Sequence, residues 1–97
     1  MNTVKLALYR PGGAGARLAV STAAVNFTTF DANANAVWFQ VEGAPVWVTI
    51  DGSTPSSTNG VTFQPGDGDV WSLEMMLAAK FLRASGTDGA VQAYPIA

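Results

Sequence analysis

The chain has 97 residues, of which 48% are hydrophobic and 12% are charged, and its net charge is −2. This length suits one domain and excludes two, and the hydrophobic fraction excludes general disorder. The five basic residues are scattered and Cys is absent, so neither a phosphate-binding footprint nor disulfide chemistry is expected. We therefore expect a single domain over residues 1–97 that does not bind nucleic acid and is stabilised by packing or oligomerisation.

The first predicted element is a strand in residues 4–8, where apolar residues alternate with polar or small ones. A loop follows from Arg10, because Pro11 and repeated glycines do not continue a regular element. Residues 1–16 are therefore expected to form a strand and a flexible arm. The apolar run in this region is too short for the core of a secretory signal.

A second strand region covers residues 17–28, and its apolar pattern changes phase part-way along. Its first half has apolar residues at the parity of Val20, and its second half has them at the parity of Val25. This change predicts a break or bulge near residues 22–24. A turn-rich connection then leads to the middle of the chain.

The middle of the chain has the densest β-type pattern. Apolar residues alternate with polar residues or Trp over residues 37–42 and again over residues 46–51, which predicts two strands. Gly43 and Pro45 supply a turn between them. A polar loop and a short strand at residues 61–63 follow.

Residues 72–84 are compatible with a helix or with strands. Leu73 and Leu77 lie at helical spacing among good helix formers. Alternatively, Trp71 and Leu73 share one strand face, a kink follows, and another strand begins at Lys80. The residue pattern by itself leaves both alternatives open.

The last predicted strand covers residues 91–96, and Pro95 should place it at a sheet edge because proline cannot donate to a ladder. Several short strands separated by Gly, Pro, Asn and Asp turns are typical of an antiparallel sandwich or small barrel. The expected fold class is all-β, a single antiparallel β-sandwich of jelly-roll or immunoglobulin-like type. An α+β fold with one helix near residues 72–84 is the alternative.

The sequence offers little catalytic chemistry. It contains no His, and its possible bases are Lys5, Lys80 and isolated carboxylates. Asp67 and Asp69 could contribute to a calcium site, but an Asp next to Gly is more typical of a turn. We therefore expect no enzyme activity, no metal site and no cofactor. The longest apolar run is also too short to span a bilayer, so no membrane partner is expected.

Trp38 and Trp47 are the main candidate contact residues. In their strands they are out of phase with the valines, which places them on outward faces, whereas Trp71 shares the parity of apolar neighbours and is expected in the core. An indole buries on the order of 200 Å², so two indoles left in water favour association. We expect at least one of Trp38 and Trp47 at a subunit or partner contact, and we include Tyr9 and Arg10 as further candidates.

Two segments of the chain resemble small structural proteins of tailed-phage virions. The first is Pro45–Pro55 with the Asn-Gly pair at 59–60 and the Pro-Gly-Asp turn at 65–67, and the second is the strand and turn of Lys80–Thr87. Such proteins are short, free of Cys and built as β-sandwiches. The resemblance therefore implies strands instead of a helix across Trp71–Arg83.

The resemblance also implies a structural role in the virion. Head decoration, or cement, suits a compact single domain. Such a protein binds the outer head surface and bridges major capsid protein subunits, often as a trimer. We therefore expect a homotrimeric protein on the capsid exterior, assembled in the host cytoplasm. The alternatives are a tail or fibre adaptor and a carbohydrate-binding module that stacks sugars on Trp38 or Trp47.

Overall fold

The computed structural model describes residues 10–97, and the strand predicted at residues 4–8 lies outside the described residues. Within the described range, seven strands form two antiparallel sheets, and one short helix lies between two of the strands. The predicted all-β sandwich is confirmed. In chain order the elements are β1 (Ala16–Val20), β2 (Ala36–Glu42), β3 (Val46–Thr49), β4 (Val61–Phe63), β5 (Gly68–Ser72), α1 (Leu73–Ala78), β6 (Lys80–Arg83) and β7 (Gly89–Ile96).

The strands divide between a four-stranded sheet in the order β1-β7-β2-β5 and a three-stranded sheet in the order β4-β3-β6. β4 and β5 lie on the same side of the sandwich, where the rings of Phe63 and Trp71 meet with centroids 5.9 Å apart. β1 and β6 lie together on the opposite side. We call these two sides the β4–β5 edge and the β1–β6 edge.

The core is a single apolar layer between the two sheets. Because side chains alternate along a strand, every second residue of β2 and β3 points into this layer. The aromatic ring of Phe39 enters it from the four-stranded sheet and that of Phe81 from the three-stranded sheet. The other buried members are Val20, Phe27, Val37, Val41, Val46, Val48, Met76, Ala79, Val91 and Ala93.

Two breaks in the strand pattern carry the chain from one sheet to the other. The break predicted near residues 22–24 is confirmed: β1 ends at Val20 in the four-stranded sheet, and Val25 then exchanges backbone hydrogen bonds with Phe81 in the three-stranded sheet. The turn after β2 also carries the chain from the four-stranded to the three-stranded sheet. Gly43 has a φ of 82° in this turn, a left-handed conformation that glycine adopts more readily than other residues. As a result, β2 and β3 face each other across the core and do not form a hairpin.

The stretch 72–84 contains both structures that its sequence allows. Ser72 caps α1, because its hydroxyl accepts a hydrogen bond from the Met75 N–H at 3.2 Å. The strands implied by the phage resemblance are therefore wrong for Leu73–Ala78, although Lys80–Arg83 is a strand. The chain crosses here from β5 to β6 in the other sheet, and the capped helical turn pairs its own backbone N–H and C=O groups during the crossing. A continuous strand could not pair these groups, because it would leave the neighbouring strand of its sheet.

The expectation that Pro95 places the last strand at a sheet edge is wrong. β7 lies inside the four-stranded sheet, between β1 and β2. The pairing of β7 with β1 ends at the Ala16–Ala93 pair. Pro95 therefore lies beyond β1 and beside the glycine-rich loop. The Pro95 carbonyl accepts a hydrogen bond from the Gly12 N–H at 3.0 Å. The N and C=O of a strand residue point to the same side, so the missing N–H faces this loop and not β2.

A hydrogen-bonded clasp joins the end of β1 to the loop between β6 and β7. The Asp88 carboxylate accepts from the Ser21 hydroxyl at 2.9 Å and from the Arg83 guanidinium at 2.8 Å. The hydrogen bond from Ser21, followed by that from Arg83, holds the pKa of the Asp88 carboxyl below its ordinary value.

Removal of the Phe81 ring should create a large core cavity. Phe81 is fully buried, so Phe81→Ala is expected to lower the free energy of unfolding by about 3–5 kcal/mol. Leu82→Ala is the control, because Leu82 is the next residue on the outward face and is only half-buried. Urea unfolding followed by tryptophan fluorescence measures both variants, and equal losses would contradict the assignment of Phe81 to the core.

Acid should open the Asp88 clasp. Because the pKa of Asp88 is lower in the folded chain than in the unfolded chain, its stabilisation is fully present above about pH 4 and is lost as the pH falls through the folded value. Asp88→Asn should therefore reduce the loss of melting temperature on acidification, as measured by circular dichroism. The exposed Asp31 lies outside the clasp, and Asp31→Asn serves as the control. Identical pH profiles for Asp88→Asn and the wild type would exclude this role.

Candidate functional site

An aromatic pair stands on the outward face of the four-stranded sheet. Trp38 of β2 lies directly opposite Tyr94 of β7, and their rings stack with centroids 5.7 Å apart and planes 29° apart. Both side chains point outward because Val37 and Phe39, at the other parity, point into the core. Tyr94 is 46% exposed and Trp38 is half-buried. We call Trp38 and Tyr94 the aromatic pair.

The neighbours of the aromatic pair extend it into a row across the sheet. Val70 of β5 pairs with Trp38 on the side away from β7. On the other side, a Cβ atom at Gly15 would lie 2.6 Å from the Tyr94 ring. Glycine at this position therefore lets the ring of Tyr94 lie against the backbone of the incoming chain. A larger residue would push the ring away from this position.

A groove of about 220 Å³ adjoins the aromatic pair. Arg10 lies at this groove, because its carbonyl accepts a hydrogen bond from the Ala97 N–H at 2.9 Å beside the end of β7. The structure thus brings two of the predicted contact residues, Trp38 and Arg10, to one site. The groove is lined by Arg10, Pro11, Gly13, Trp38, Tyr94, Pro95 and Ile96.

Trp47 lies on the outward face of the other sheet. It is half-buried, between Thr62 of β4 and Leu82 of β6 in the register. Trp47 and Trp38 are therefore on opposite faces of the sandwich and do not form one site. Tyr9, the fourth predicted contact residue, lies outside the described residues.

Tyr94 is a contact candidate that sequence reasoning missed. Its parity is a usable signal, because Tyr94 is out of phase with the buried Val91 and Ala93 of the same strand. The strand register that places Tyr94 opposite Trp38 is not visible in the sequence, since the two residues belong to strands far apart in the chain. Only the pairing of β2 with β7 brings the rings together.

A second and larger groove, of about 350 Å³, lies at the β4–β5 edge. Its walls include the most exposed large apolar side chains of the described residues, with Ile50 52% and Val61 63% exposed. Asp51 is the single charged residue among its described lining residues. We call this the edge groove, and its lining is Val48, Thr49, Ile50, Asp51, Asn59, Gly60, Val61, Phe63, Trp71 and Met75.

The loop beside the edge groove is held by hydrogen bonds between its own side chains. Asp51 accepts from the Ser53 N–H at 3.0 Å and also from the Ser53 hydroxyl. The Asn59 amide donates to the Ser53 hydroxyl at 3.0 Å and to the Thr54 carbonyl at 2.9 Å. The Ser53 hydroxyl, and then the Ser53 N–H, lower the pKa of the Asp51 carboxyl. Asp51 is therefore ionised at neutral pH and marks the rim of the groove with a negative charge.

The two carboxylates considered for a calcium site differ in their structural roles, because Asp67 lies in a turn and Asp69 lies in β5. Within residues 10–97, no group of three or more His, Cys, Asp or Glu side chains is placed to hold a metal ion. Asp67, for example, accepts a hydrogen bond from the Gln64 N–H at 2.8 Å and closes the turn before β5.

No protein-family model, curated protein or solved structure matches the chain. In the part of the chain that the structure describes, the single helix has six residues, too few to cross a membrane. The aromatic pair and the two grooves are therefore interpreted from their own chemistry. Their exposed side chains are mainly apolar and aromatic, a surface chemistry typical of sites that bind another molecule.

Loss of the Tyr94 ring should expose Trp38 to water. In a Trp47→Phe/Trp71→Phe background, Tyr94→Ala should shift the Trp38 emission to longer wavelength and increase its quenching by acrylamide. The loss of stability should stay below about 1.5 kcal/mol, the usual range for one aromatic pair. Gln92→Ala, on the same face of β7, is the control. An unchanged emission maximum in Tyr94→Ala would contradict the stacking.

Proposed function

We propose that this protein is a capsid decoration (cement) protein of a tailed phage, which binds the outer head surface and bridges neighbouring major capsid protein subunits. The observation that carries the proposal is the aromatic pair, a stacked Trp and Tyr on an outward sheet face beside a groove bordered by Arg10. Trp, Tyr and Arg are the residues enriched at the energetic centres of protein interfaces. The motif resemblance in β3, its following loop and β6 supports the phage context.

The position of the aromatic side chains on both outward faces supports a bridging role. One face carries the aromatic pair, and the opposite face carries Trp47 beside Leu82. A protein with contact groups on opposite faces can touch two neighbours at once, as a bridge between subunits must. Interfaces of standard size bury about 1,200–2,000 Å², and repetition over a closed shell turns modest contacts into high avidity. Association as a trimer would multiply these contacts further.

The distribution of charge supports burial of these faces in an assembly. The guanidinium of Arg17 pairs with Glu42 at 3.0 Å, and that of Arg83 pairs with Asp88 at 2.8 Å. These pairs neutralise charges that would otherwise have to be desolvated beside the outward faces. Burial of an unpaired charge in an interface is costly, whereas burial of aromatic surface is favourable.

A carbohydrate-binding module is the second candidate, because stacked aromatic rings on a sheet face can also pack against a sugar ring. Sugar recognition additionally requires polar groups free to bind hydroxyls. Gln40 and Gln92 lie on the same face, but their side-chain amides already donate to the carbonyls of Gly66 and Ala16. This internal hydrogen bonding favours a protein surface as the partner over a glycan.

The proposal is tested by binding of the purified chain to empty heads of the phage that encodes it, measured by co-sedimentation. Trp38→Ala and Tyr94→Ala should each weaken binding about tenfold or more, because each removes one half of the aromatic pair. Trp47→Ala tests the opposite face. Ala19→Ser, on the same outward face as the pair but outside the groove, is the matched control.

Three outcomes would count against decoration. Wild-type chain that does not sediment with the heads would exclude it. A copy number of about a dozen or fewer per virion would assign the chain to a tail or fibre adaptor. Binding on a glycan array that is lost in Tyr94→Ala would instead support the carbohydrate-binding module.

A further inference from the structure

The charged residues are distributed unequally between the two edges of the sandwich. Residues 51–79 include β4, β5 and α1, and they contain no Lys or Arg. None of their acidic residues belongs to the ion pairs that Arg17 and Arg83 form among residues 10–97. At the other edge, β6 carries Lys80 and Arg83. The β4–β5 edge is therefore negatively charged, and its acidic residues are Asp51, Asp67, Asp69 and Glu74.

The outer side of β4 presents the backbone N–H and C=O of Thr62. Phe81 of β6 exchanges backbone hydrogen bonds with Val25, so the Phe81 N–H and C=O point away from β3. Its partner in the register is Val48 of β3, which therefore directs its own N–H and C=O toward Val61 of β4. Because these groups alternate along a strand, those of Thr62 face away from β3. Among residues 10–97, no strand pairs with them on that side.

A carboxylate lies near each end of β4. At the beginning of the strand, Asp51 lines the edge groove together with Val61. After the end of the strand, Asp67 accepts a hydrogen bond from the Gln64 N–H at 2.8 Å, which places this carboxylate directly beyond Phe63. The open part of the strand edge is therefore short and has an acidic side chain on each side of it.

A strand added beside β4 would place alternate side chains over the edge groove. Thr62 lies opposite Trp47, on the outward face, whereas Val61 and Phe63 line the groove. A residue opposite Thr62 in the added strand would also point outward. The residues before and after it would point into the groove, which Trp71 of the other sheet also lines. These two positions therefore favour apolar residues.

We propose that the edge groove binds an extended segment of a partner protein, in which two apolar residues separated by one residue are flanked by Lys or Arg. The segment pairs with the backbone of Thr62 and buries its apolar side chains beside Val61 and Trp71. Its basic side chains lie near Asp51 and Asp67. This is strand addition to an open sheet edge, in which backbone pairing gives affinity and alternate side chains give specificity.

The contributions of backbone, apolar surface and charge are unequal. Thr62 offers one N–H and one C=O, and a net hydrogen bond contributes only about 1 kcal/mol. Apolar burial in the groove and attraction to the carboxylates must therefore provide most of the affinity and the choice of partner. The site is separate from the aromatic pair, so binding here does not depend on binding to a capsid.

A synthetic peptide tests the proposal directly. The probe is Lys-Val-Thr-Val-Lys, blocked at both termini, which is titrated into the isotope-labelled full chain and followed by NMR. Saturable shifts should appear at the Thr62 amide and the Trp71 indole, with a dissociation constant of about 1 mM or tighter. Glu-Val-Thr-Val-Glu has the same apolar residues and the opposite charge, and it should bind at least about tenfold more weakly. Equal binding of the two peptides, or no saturable shift with the basic one, would overturn the proposal.

A matched pair of Asp variants tests the charge at the groove. Asp51→Asn should weaken binding of the basic peptide about two- to fivefold, the range for an exposed ion pair. Asp31→Asn is the control, because Asp31 also accepts a hydrogen bond from the N–H two residues further on, that of Asn33 at 2.9 Å, but does not line the groove. It should leave the affinity unchanged. Equal weakening by both variants would show general attraction to an acidic protein and would refute the site.

A second pair of variants tests the apolar wall. Val61 is 63% exposed, so Val61→Ser should fold and should weaken peptide binding about threefold or more through the loss of apolar contact. Thr62→Ser should bind like the wild type, because Thr62 contributes its backbone. Equal affinities of the two variants would contradict the proposed register. If the chain without peptide self-associates in sedimentation and Val61→Ser abolishes this, the occupant is a second copy and the proposal is wrong.

Discussion

The two sheets share one apolar layer, and filling that layer fixes the direction of nearly every strand side chain. Phe39 and Phe81 enter it from opposite sheets, with valines around them. Because the side-chain period of a strand is two, the residues between the buried ones must point outward. The outward positions of Trp38, Tyr94 and Trp47 are thus a consequence of core packing. The surfaces proposed to bind partners arise from the same pattern that stabilises the fold.

The passage of the chain between sheets explains why the two edges differ. The segment after β1 crosses to the three-stranded sheet and covers β6 through the hydrogen bonds between Val25 and Phe81. On the other side, the loop after β3 is held by hydrogen bonds among its own residues, including Asp51 and Asn59, and among residues 10–97 no strand pairs with the outer side of β4. One edge is therefore covered and basic, and the other is open, acidic and apolar.

Faces and edges offer separate routes to association. The outward faces carry aromatic side chains suited to a broad protein surface, and the β4–β5 edge carries an apolar groove with Asp51 at its rim. Use of one route leaves the other accessible, since the aromatic pair lies on the four-stranded sheet and the edge groove lies beside β4. The low content of charged residues, 12%, is consistent with a surface that is largely covered in an assembly.

The sequence by itself determined the all-β class, the break near residues 22–24 and the outward parity of Trp38 and Trp47, because alternation and turn residues are local signals. It left residues 72–84 open, since a six-residue helix and a strand have similar local patterns, and the cap at Ser72 and the crossing between sheets decided the outcome. It misplaced Pro95 at an edge because the irregular chain beside it is distant in sequence. Tertiary structure alone placed Tyr94 on Trp38, brought Arg10 to that groove and opened the edge groove, because strand order and register depend on contacts between residues far apart in the chain.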